Sequence, residues 1–235
     1  MLTPDARSRQ ILIVEDDQDT SEIVRILLEQ AGYDSVAVER GEDALAEIAS
    51  SAPDLVVLDL GLPDIEGLEV LRRVRDQSFL PMIVLSGRTL EQDKVSALEA
   101  GADDFVGKPF SSEELVARVG ALLRRVGWTP QPETRLSIRS LELDIPHRQA
   151  FIRGKRLHLT PVEYGLLYVL MRNAGRVVSH DEMLRAVWGN EYERDYSVLR
   201  VNISRLRQKL EENPRRPAYI LTVPGEGYQM PAQSA

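Results

Sequence analysis

Several carboxylates, a hydroxyl and a lysine stand at the ends of short apolar runs in the N-terminal half of the chain. Glu15, Asp16 and Asp17 follow "ILIV" (11–14), Asp59 ends "LVVL" (55–58), Ser86 ends "MIVL" (82–85) and Lys108 follows "DFV" (104–106). Carboxylates sharing one cleft repel, which raises their pKa unless a cation compensates. Oxygen donors with room for water suit Mg²⁺, which tolerates few protein ligands. A carboxylate nucleophile, a divalent cation, a hydroxyl and an ammonium are the parts needed for phosphoryl transfer to an aspartate, Mg²⁺ and Lys108 offsetting charge on the transferring oxygens. Each residue alone has an ordinary alternative. Asp16 or Asp17 can cap the following helix, Ser86 can be a loop hydroxyl, and Lys108 a solvated charge before Pro109. The specific signal is their order at successive strand ends.

A second constellation lies in the C-terminal half. "SVLRVNISRLRQKL" (197–210) places Val198, Val201 and Leu206 inward, with Leu199, Ile203 and Leu210 widening the apolar stripe. Arg200, Arg205, Arg207 and Lys209 remain for other faces, and no acid appears before Glu211. Such a helix fits a DNA major groove; its bland alternative is a solvated amphipathic helix. Its place as a third helix ahead of a hairpin favours the groove.

The elements that position these residues follow from period. In the first half the short β-type runs alternate with helical faces: Ile23, Ile26 and Leu27; Leu45 and Ile48; Leu68, Leu71 and Val74. Five such units imply an α/β domain, a doubly wound (βα)5 parallel sheet with function at the carboxyl ends of its strands. Its last helix starts at "SSEEL", where Ser111 and Glu114 form a capping-box pattern. "VGWTPQPET" (126–134) reads as a linker between a domain at 1–125 and one at 135–232. The latter is α+β: a small antiparallel sheet, helix starts at Thr160-Pro161-Val162-Glu163 and Ser179-His180-Asp181-Glu182, a helix near 196–211, and a hairpin turning at Pro224-Gly225-Glu226-Gly227. This is a winged helix-turn-helix pattern.

Composition narrows the function classes. With no cysteine among 235 residues, neither a disulfide framework nor a zinc finger is available. No apolar run approaches the roughly 20 residues of a membrane span, so a cytoplasmic protein with no membrane partner is expected. Residues 1–125 hold 13 Lys and Arg against 25 Asp and Glu, a net of −12, while 126–235 hold 16 against 12, a net of +4. The asymmetry suggests an acidic module joined to one that meets a polyanion.

"ILIVEDD", "VLDLGLP", "VLSG" and "AGADDFVGKPF" resemble the signature motifs of two-component receiver domains, of the flavodoxin-like fold, over residues 9–125. The resemblance implies that Asp59 is the phosphoacceptor. Asp16 would be a direct Mg²⁺ ligand, Glu15 its acidic partner, and Gly61 the donor of a backbone carbonyl to the metal. Ser86 and Lys108 would contact the phosphoryl group, Lys108-Pro109 would be cis, and Asp17 is left as the helix cap. Residues 135–230 resemble the OmpR/PhoB effector domain through "LTPVEYGLLYVL", "GRVVSHDEMLRAVWG", "VNISRLRQKLE" and "GEGY". That implies nucleic-acid contacts from Arg200, Asn202, Arg205 and Arg207, with Arg194 on phosphate. Two departures stand out. Phe105 occupies the switch position where the branch usually has tyrosine, which shifts the balance between states. Pro224 replaces the arginine of the wing, beside Glu226, which implies weaker minor-groove readout, a shallower salt dependence, or reliance on nearby Arg215 and Arg216.

The branch also implies a symmetric dimer face, here Lys94 with Glu114, Asp104 with Arg118 and Asp103 with Arg125; as solvated pairs they contribute only ~0–1 kcal/mol each. The expectation is a DNA-binding transcription regulator, not an enzyme. A histidine kinase phosphorylates Asp59, the chain forms a homodimer on double-stranded DNA, and RNA polymerase is a further partner. The rivals are a phosphate-independent regulator and an aspartyl-phosphate phosphohydrolase. The latter lacks its acid/base carboxylate, because Gly61 occupies that position.

Overall fold

A computed structural model of the chain describes residues 9–88, 90–126, 135–189 and 195–232. It forms two compact units that divide after Leu123. The expected linker falls almost wholly outside the described residues.

The first unit runs β1 (Gln10–Val14), α1 (Gln18–Gln30), β2 (Asp34–Val38), α2 (Gly41–Ser51), β3 (Leu55–Leu58), α3 (Gly67–Gln77), β4 (Met82–Ser86), α4 (Glu91–Ala100), β5 (Asp104–Gly107) and α5 (Ser112–Val126). All neighbouring strands are parallel, in the order β2-β1-β3-β4-β5. The apolar residues of β1, β3 and β4 are at most 1% exposed. That explains why these strands read as unbroken apolar runs and not as alternation: helices cover both faces. Each such side chain contributes about 1.5–3 kcal/mol by burial. The strand order reverses between β1 and β3, and there the crevice at the carboxyl ends opens.

Two local expectations change. On α1 the buried residues are Val24 and Leu28, whereas Ile23 and Ile26 are 52% and 41% exposed, so the face expected to pack is turned about one residue. At the start of α5, Ser111 Oγ accepts from Glu114 N at 3.0 Å, but the Glu114 carboxylate goes to Arg118 at 2.7 Å, and the capping box is only half formed.

The second unit runs β6 (Arg135–Ile138), β7 (Leu141–Asp144), β8 (Gln149–Ile152), β9 (Lys155–Leu157), α6 (Pro161–Arg172), β10 (Val177–Ser179), α7 (His180–Trp188), α8 (Tyr196–Leu210), β11 (Leu221–Val223) and β12 (Gly227–Gln229). Strands β6 to β9 make an antiparallel meander, and β10, β12 and β11 a second small sheet whose β11–β12 hairpin is the wing. Both expected capping boxes close reciprocally, at Thr160 with Glu163 and at Ser179 with Glu182. They set the starts of α6 and α7, which pack with α8 around Leu166, Leu167, Leu184, Trp188, Leu199 and Leu206, each at most 1% exposed.

Candidate functional site

Register makes the acidic crevice. Val14 pairs with Leu58, so the residues just beyond them, Glu15 and Asp59, emerge side by side; Asp59 N donates to Val14 O at 2.9 Å. Asp59 Oδ1 accepts from the backbone of Leu60 (2.6 Å) and Gly61 (3.2 Å), which fixes the carboxylate, while Oδ2 accepts from Lys108 Nζ at 2.7 Å. The same ammonium donates to Glu15 Oε2 at 2.5 Å. Lys108 is held there because β5 pairs with β4 and Lys108 N donates to Ser86 O at 2.8 Å, ahead of a cis Lys108–Pro109 bond. Ser86, 1% exposed, thus lies on the strand next to that of Asp59.

The electrostatics are unbalanced. Ligand oxygens of Glu15, Asp16 and Asp59 lie within 4.8 Å of one another. Burial pushes Glu15 up to about 7; the Lys108 hydrogen bond opposes this and the Asp59 charge reinforces it. Burial pulls the Lys108 ammonium down, but its bonds to Asp59 and Glu15 outweigh that and leave it raised. Three carboxylates and one lysine leave net negative charge among hard oxygen donors, with Asp16 exposed to solvent. That set is of the kind that holds Mg²⁺. The Asp17 side chain caps α1, accepting from Thr20 N at 2.8 Å, while its backbone N–H donates to Glu15 Oε1 at 3.4 Å.

Two supports were not legible in the sequence. Gly67 opens α3 hard against the acceptor, where an added Cβ would lie 2.2 Å from Asp59 O. Asp64 reaches out of the loop after β3 and caps α2, accepting from Gly41 N (2.9 Å) and Glu42 N (3.0 Å). Those N–H groups, Glu42 foremost, hold it at about 2. Close approach and a cap borrowed from a distant loop leave no local pattern to read.

Phe105 is 6% exposed, packed inside the unit. Of the residues expected on a dimer face, Arg118 binds Asp104 (3.0 Å) and Glu114 (2.7 Å) of its own chain. Asp103 requires a correction as a surface partner. It is fully buried, and its Oδ2 accepts from Arg75 (2.8 Å) and from Met82 N (3.0 Å). The side chain of its expected partner Arg125 lies outside the described residues. Lys94 sits on α4, half-buried.

The C-terminal unit presents a different ridge from the one expected. On α8 the exposed positions are Arg200, Ser204 and Gln208, one per turn. Asn202 is corrected as a base contact: it is fully buried and donates to Val198 O at 2.9 Å. Arg205 is also turned inward, 11% exposed and 3.3 Å from Glu163 Oε1, while Lys209 reaches Glu163 Oε2 at 2.6 Å. Arg207 donates to Ile220 O (2.7 Å) and Thr222 Oγ1 (2.8 Å), so it braces the wing. Arg194 lies outside the described residues. Residue type pointed to Arg205 and Arg207; angular position on the helix, which type does not reveal, turns Arg205 towards Glu163 and Arg207 towards the wing.

An acidic phosphoryl-type crevice on a five-stranded parallel sheet, followed by a three-helix unit with a wing, defines a receiver joined to a DNA-binding effector. Residues 11–120 match the family model described as response regulator receiver domain, and residues 154–230 the one described as transcriptional regulatory protein, C terminal. The chain is 42% identical over 219 residues to the KDP operon transcriptional regulatory protein KdpE of Escherichia coli (strain K12), covering 93% of this chain and 97% of that protein. It is 40% identical over 225 residues to the DNA-binding response regulator MtrA of Mycolicibacterium smegmatis, covering 96% and 98%. Among solved structures, DrrB, an OmpR/PhoB homologue of Thermotoga maritima, is 33% identical with a TM-score of 0.52 (96% and 100% covered). A mutant of RitR is 26% identical with a TM-score of 0.78 over the same shares. The chain belongs to the OmpR/PhoB family of two-component, DNA-binding response regulators, which are transcription factors and not enzymes. These domains imply a histidine kinase and DNA as partners. Among the described residues, no helix is long and apolar enough to cross a membrane.

Proposed function

We propose that Asp59 is the phosphoacceptor of a switch that controls DNA binding in the cytoplasm. The observation that carries this reading is Lys108 Nζ bridging Glu15 (2.5 Å) and Asp59 (2.7 Å) at the crevice, with Asp16 alongside. Glu15, Asp16, Asp59 and the Gly61 carbonyl would hold Mg²⁺. When bound, the ion supplies positive charge that offsets the transferring oxygens. An Asp59 carboxylate oxygen attacks phosphorus as the bond to the kinase histidine breaks, and the imidazole leaves with the electron pair. The backbone N–H groups of Leu60 and Gly61 hold the other oxygen of Asp59 and keep the nucleophile oriented. Lys108 must release part of its carboxylate pairing to follow the incoming phosphoryl oxygens, and Ser86 is the hydroxyl on the adjoining strand. Phe105, buried on β5, would couple this rearrangement to the α4–β5–α5 face.

That face would then pair two copies through Lys94, Glu114, Asp104 and Arg118. For Asp104, Arg118 and Glu114 this exchanges intrachain partners for equivalent ones across a two-fold axis. Asp103, being buried, is left out. The DNA contacts are Arg200 with Ser204 and Gln208; Arg205 and Arg207 act by holding α8 and the wing. A dimer placed on adjacent half-sites would meet RNA polymerase as its further partner.

Sedimentation of the full chain tests the assembly, with Mg²⁺ and beryllofluoride as phosphoryl mimic. The wild type is expected to double in mass and Asp59→Ala to remain monomeric. Unchanged mass in both would turn the reading to a regulator that works without phosphate.

A further inference from the structure

The wing of this chain is weak in charge at its tip and strong at its base. Its tip, Pro224-Gly225-Glu226, is exposed and offers an anion one carboxylate and no cation. At its base an open groove of about 670 Å³ is lined, among the described residues, by Arg207, Pro214, Arg215, Pro217, Leu221 and Thr222: two guanidiniums and no carboxylate.

The loop that forms this groove is built and held. Glu211, at the end of α8, accepts from Ala218 N (2.7 Å), Tyr219 N (2.9 Å) and Ile220 N (2.9 Å), which closes residues 211–220 into a fixed loop. Within it, Asn213 takes Arg215 N on its side chain (3.0 Å) and Arg216 N on its carbonyl (2.9 Å). The far side is tied to the four-stranded sheet by Ser140 Oγ and Tyr219 OH, 2.8 Å apart, and by Arg139 donating to Ala218 O at 3.2 Å. Glu211 is thus hydrogen-bonded to backbone N–H groups and Glu212 pairs with Arg153, so among the described residues neither carboxylate bonds Arg215 or Arg216.

Arg207 supplies the second wall. Its Nε and Nη2 are engaged by Ile220 O and Thr222 Oγ1, and among the described residues Nη1 has no hydrogen-bond partner. Burial pulls this guanidinium below its usual value, as expected of a part-buried cation whose bonds go to neutral oxygens. It lies over the Tyr228 ring at 5.7 Å, and the charges of both Arg207 and Arg200 bear on that phenol. Arg207 thus joins the groove to the Tyr228 ring, on which the first residue of the α8 ridge, Arg200, also acts.

We propose that this groove seats a backbone phosphate of bound DNA on Arg207, Arg215 and Thr222, so that the wing is anchored at its base and not at its tip. The inference rests on the DNA-binding reading of α8. Phosphate contacts set position and carry the salt dependence, whereas base edges carry the sequence. A chain with Pro224 at the wing tip thus keeps a positioning contact while giving up minor-groove readout.

Binding of the full chain to mixed-sequence duplex DNA across a salt series tests this, in Mg²⁺ and beryllofluoride. One phosphate contact contributes about 0.9 to the slope of log K against log salt. Arg215→Ala is expected to weaken binding about three- to tenfold at low salt, uniformly across sequences, and to flatten the slope by about 0.9. Arg216→Ala, in the same loop but outside the groove lining, is expected to flatten it by less than half as much. An Arg215→Ala slope equal to that of the wild type, or equal flattening in both variants, overturns the groove. A wild type that does not bind duplex DNA at all fails the DNA reading itself, which keeps the two failures apart.

Discussion

Lys108 in the first unit and Glu163 in the second are mirror images in charge. Lys108 stands between two carboxylates, Glu15 at 2.5 Å and Asp59 at 2.7 Å; Glu163 stands between two cations, Lys209 at 2.6 Å and Arg205 at 3.3 Å. What separates them is where the surplus charge can go. Around Lys108 a third carboxylate, Asp16, faces solvent at the mouth of a crevice, so the surplus is negative and open to a cation. Around Glu163, itself fully buried, the carboxylate is shared by two cations, and the one that reaches outward is Lys209, whose side chain is 32% exposed and whose Nζ also donates to His158 O. The first cluster can gain a ligand and exchange partners. The second closes on itself and ties α8 to the N-terminus of α6. Similar chemistry gives a switch in one place and a strut in the other.

Breaking the strut is expected to have the largest effect on stability. Glu163→Gln keeps the hydrogen-bonding shape of the capping box but removes the buried carboxylate charge that faces Arg205 and Lys209. Removing one partner of a buried pair costs about 3–5 kcal/mol, and the partial exposure of Lys209 puts this one near 3. Urea denaturation measures it, and a cost under about 1 kcal/mol would mean that the cluster is not a strut. On the switch side, Gly67→Ala puts a methyl 2.2 Å from Asp59 O and 2.7 Å from Leu60 Cα. Backbone must move, at about 1–3 kcal/mol, and phosphoryl uptake at Asp59 should slow with it. Normal uptake in a destabilised variant would separate the packing of α3 from the orientation of the acceptor.

Smaller effects sharpen the contrast between caps and clusters. Ser179→Ala removes one oxygen from the α7 cap and is expected to cost about 1 kcal/mol, read as a lowered thermal midpoint. Its partner Glu182 is held at about 2 by the Ser179 backbone N–H and by Arg176. Because that folded value lies below the ordinary 4.5, its stabilisation is complete above 4.5 and is lost as pH falls from there towards about 2. Glu182→Gln should flatten the acid limb of the stability profile in that window, and an unchanged limb would show that other carboxylates dominate it.

The two regions also differ in how much of them the sequence discloses. Strand ends are fixed by short apolar runs and by the parallel order, so Glu15, Asp59, Ser86 and Lys108 could be placed at one rim from their spacing alone. Positions on a helix turn by about 100° per residue, and choosing by residue type selected Asn202 and Arg205, which face inward, over Ser204 and Gln208, which do not. The same one-residue rotation moved the buried face of α1 from Ile23 and Ile26 to Val24 and Leu28. Pairings across long stretches of chain, such as Glu163 with Lys209 or Asp64 with the start of α2, left no local trace. Asp103 reads as a surface acid in "AGADDF" because nothing nearby in sequence announces Arg75.

The most direct test of the account is phosphoryl uptake followed by intact mass. The chain is incubated with Mg²⁺ and a phosphorylated histidine kinase, or with acetyl phosphate as a small donor. The account predicts a gain of one phosphoryl group that requires Mg²⁺, is released by mild base as an acyl phosphate should be, and is absent in Asp59→Asn. Uptake that persists in Asp59→Asn, or none in the wild type with either donor, would contradict it.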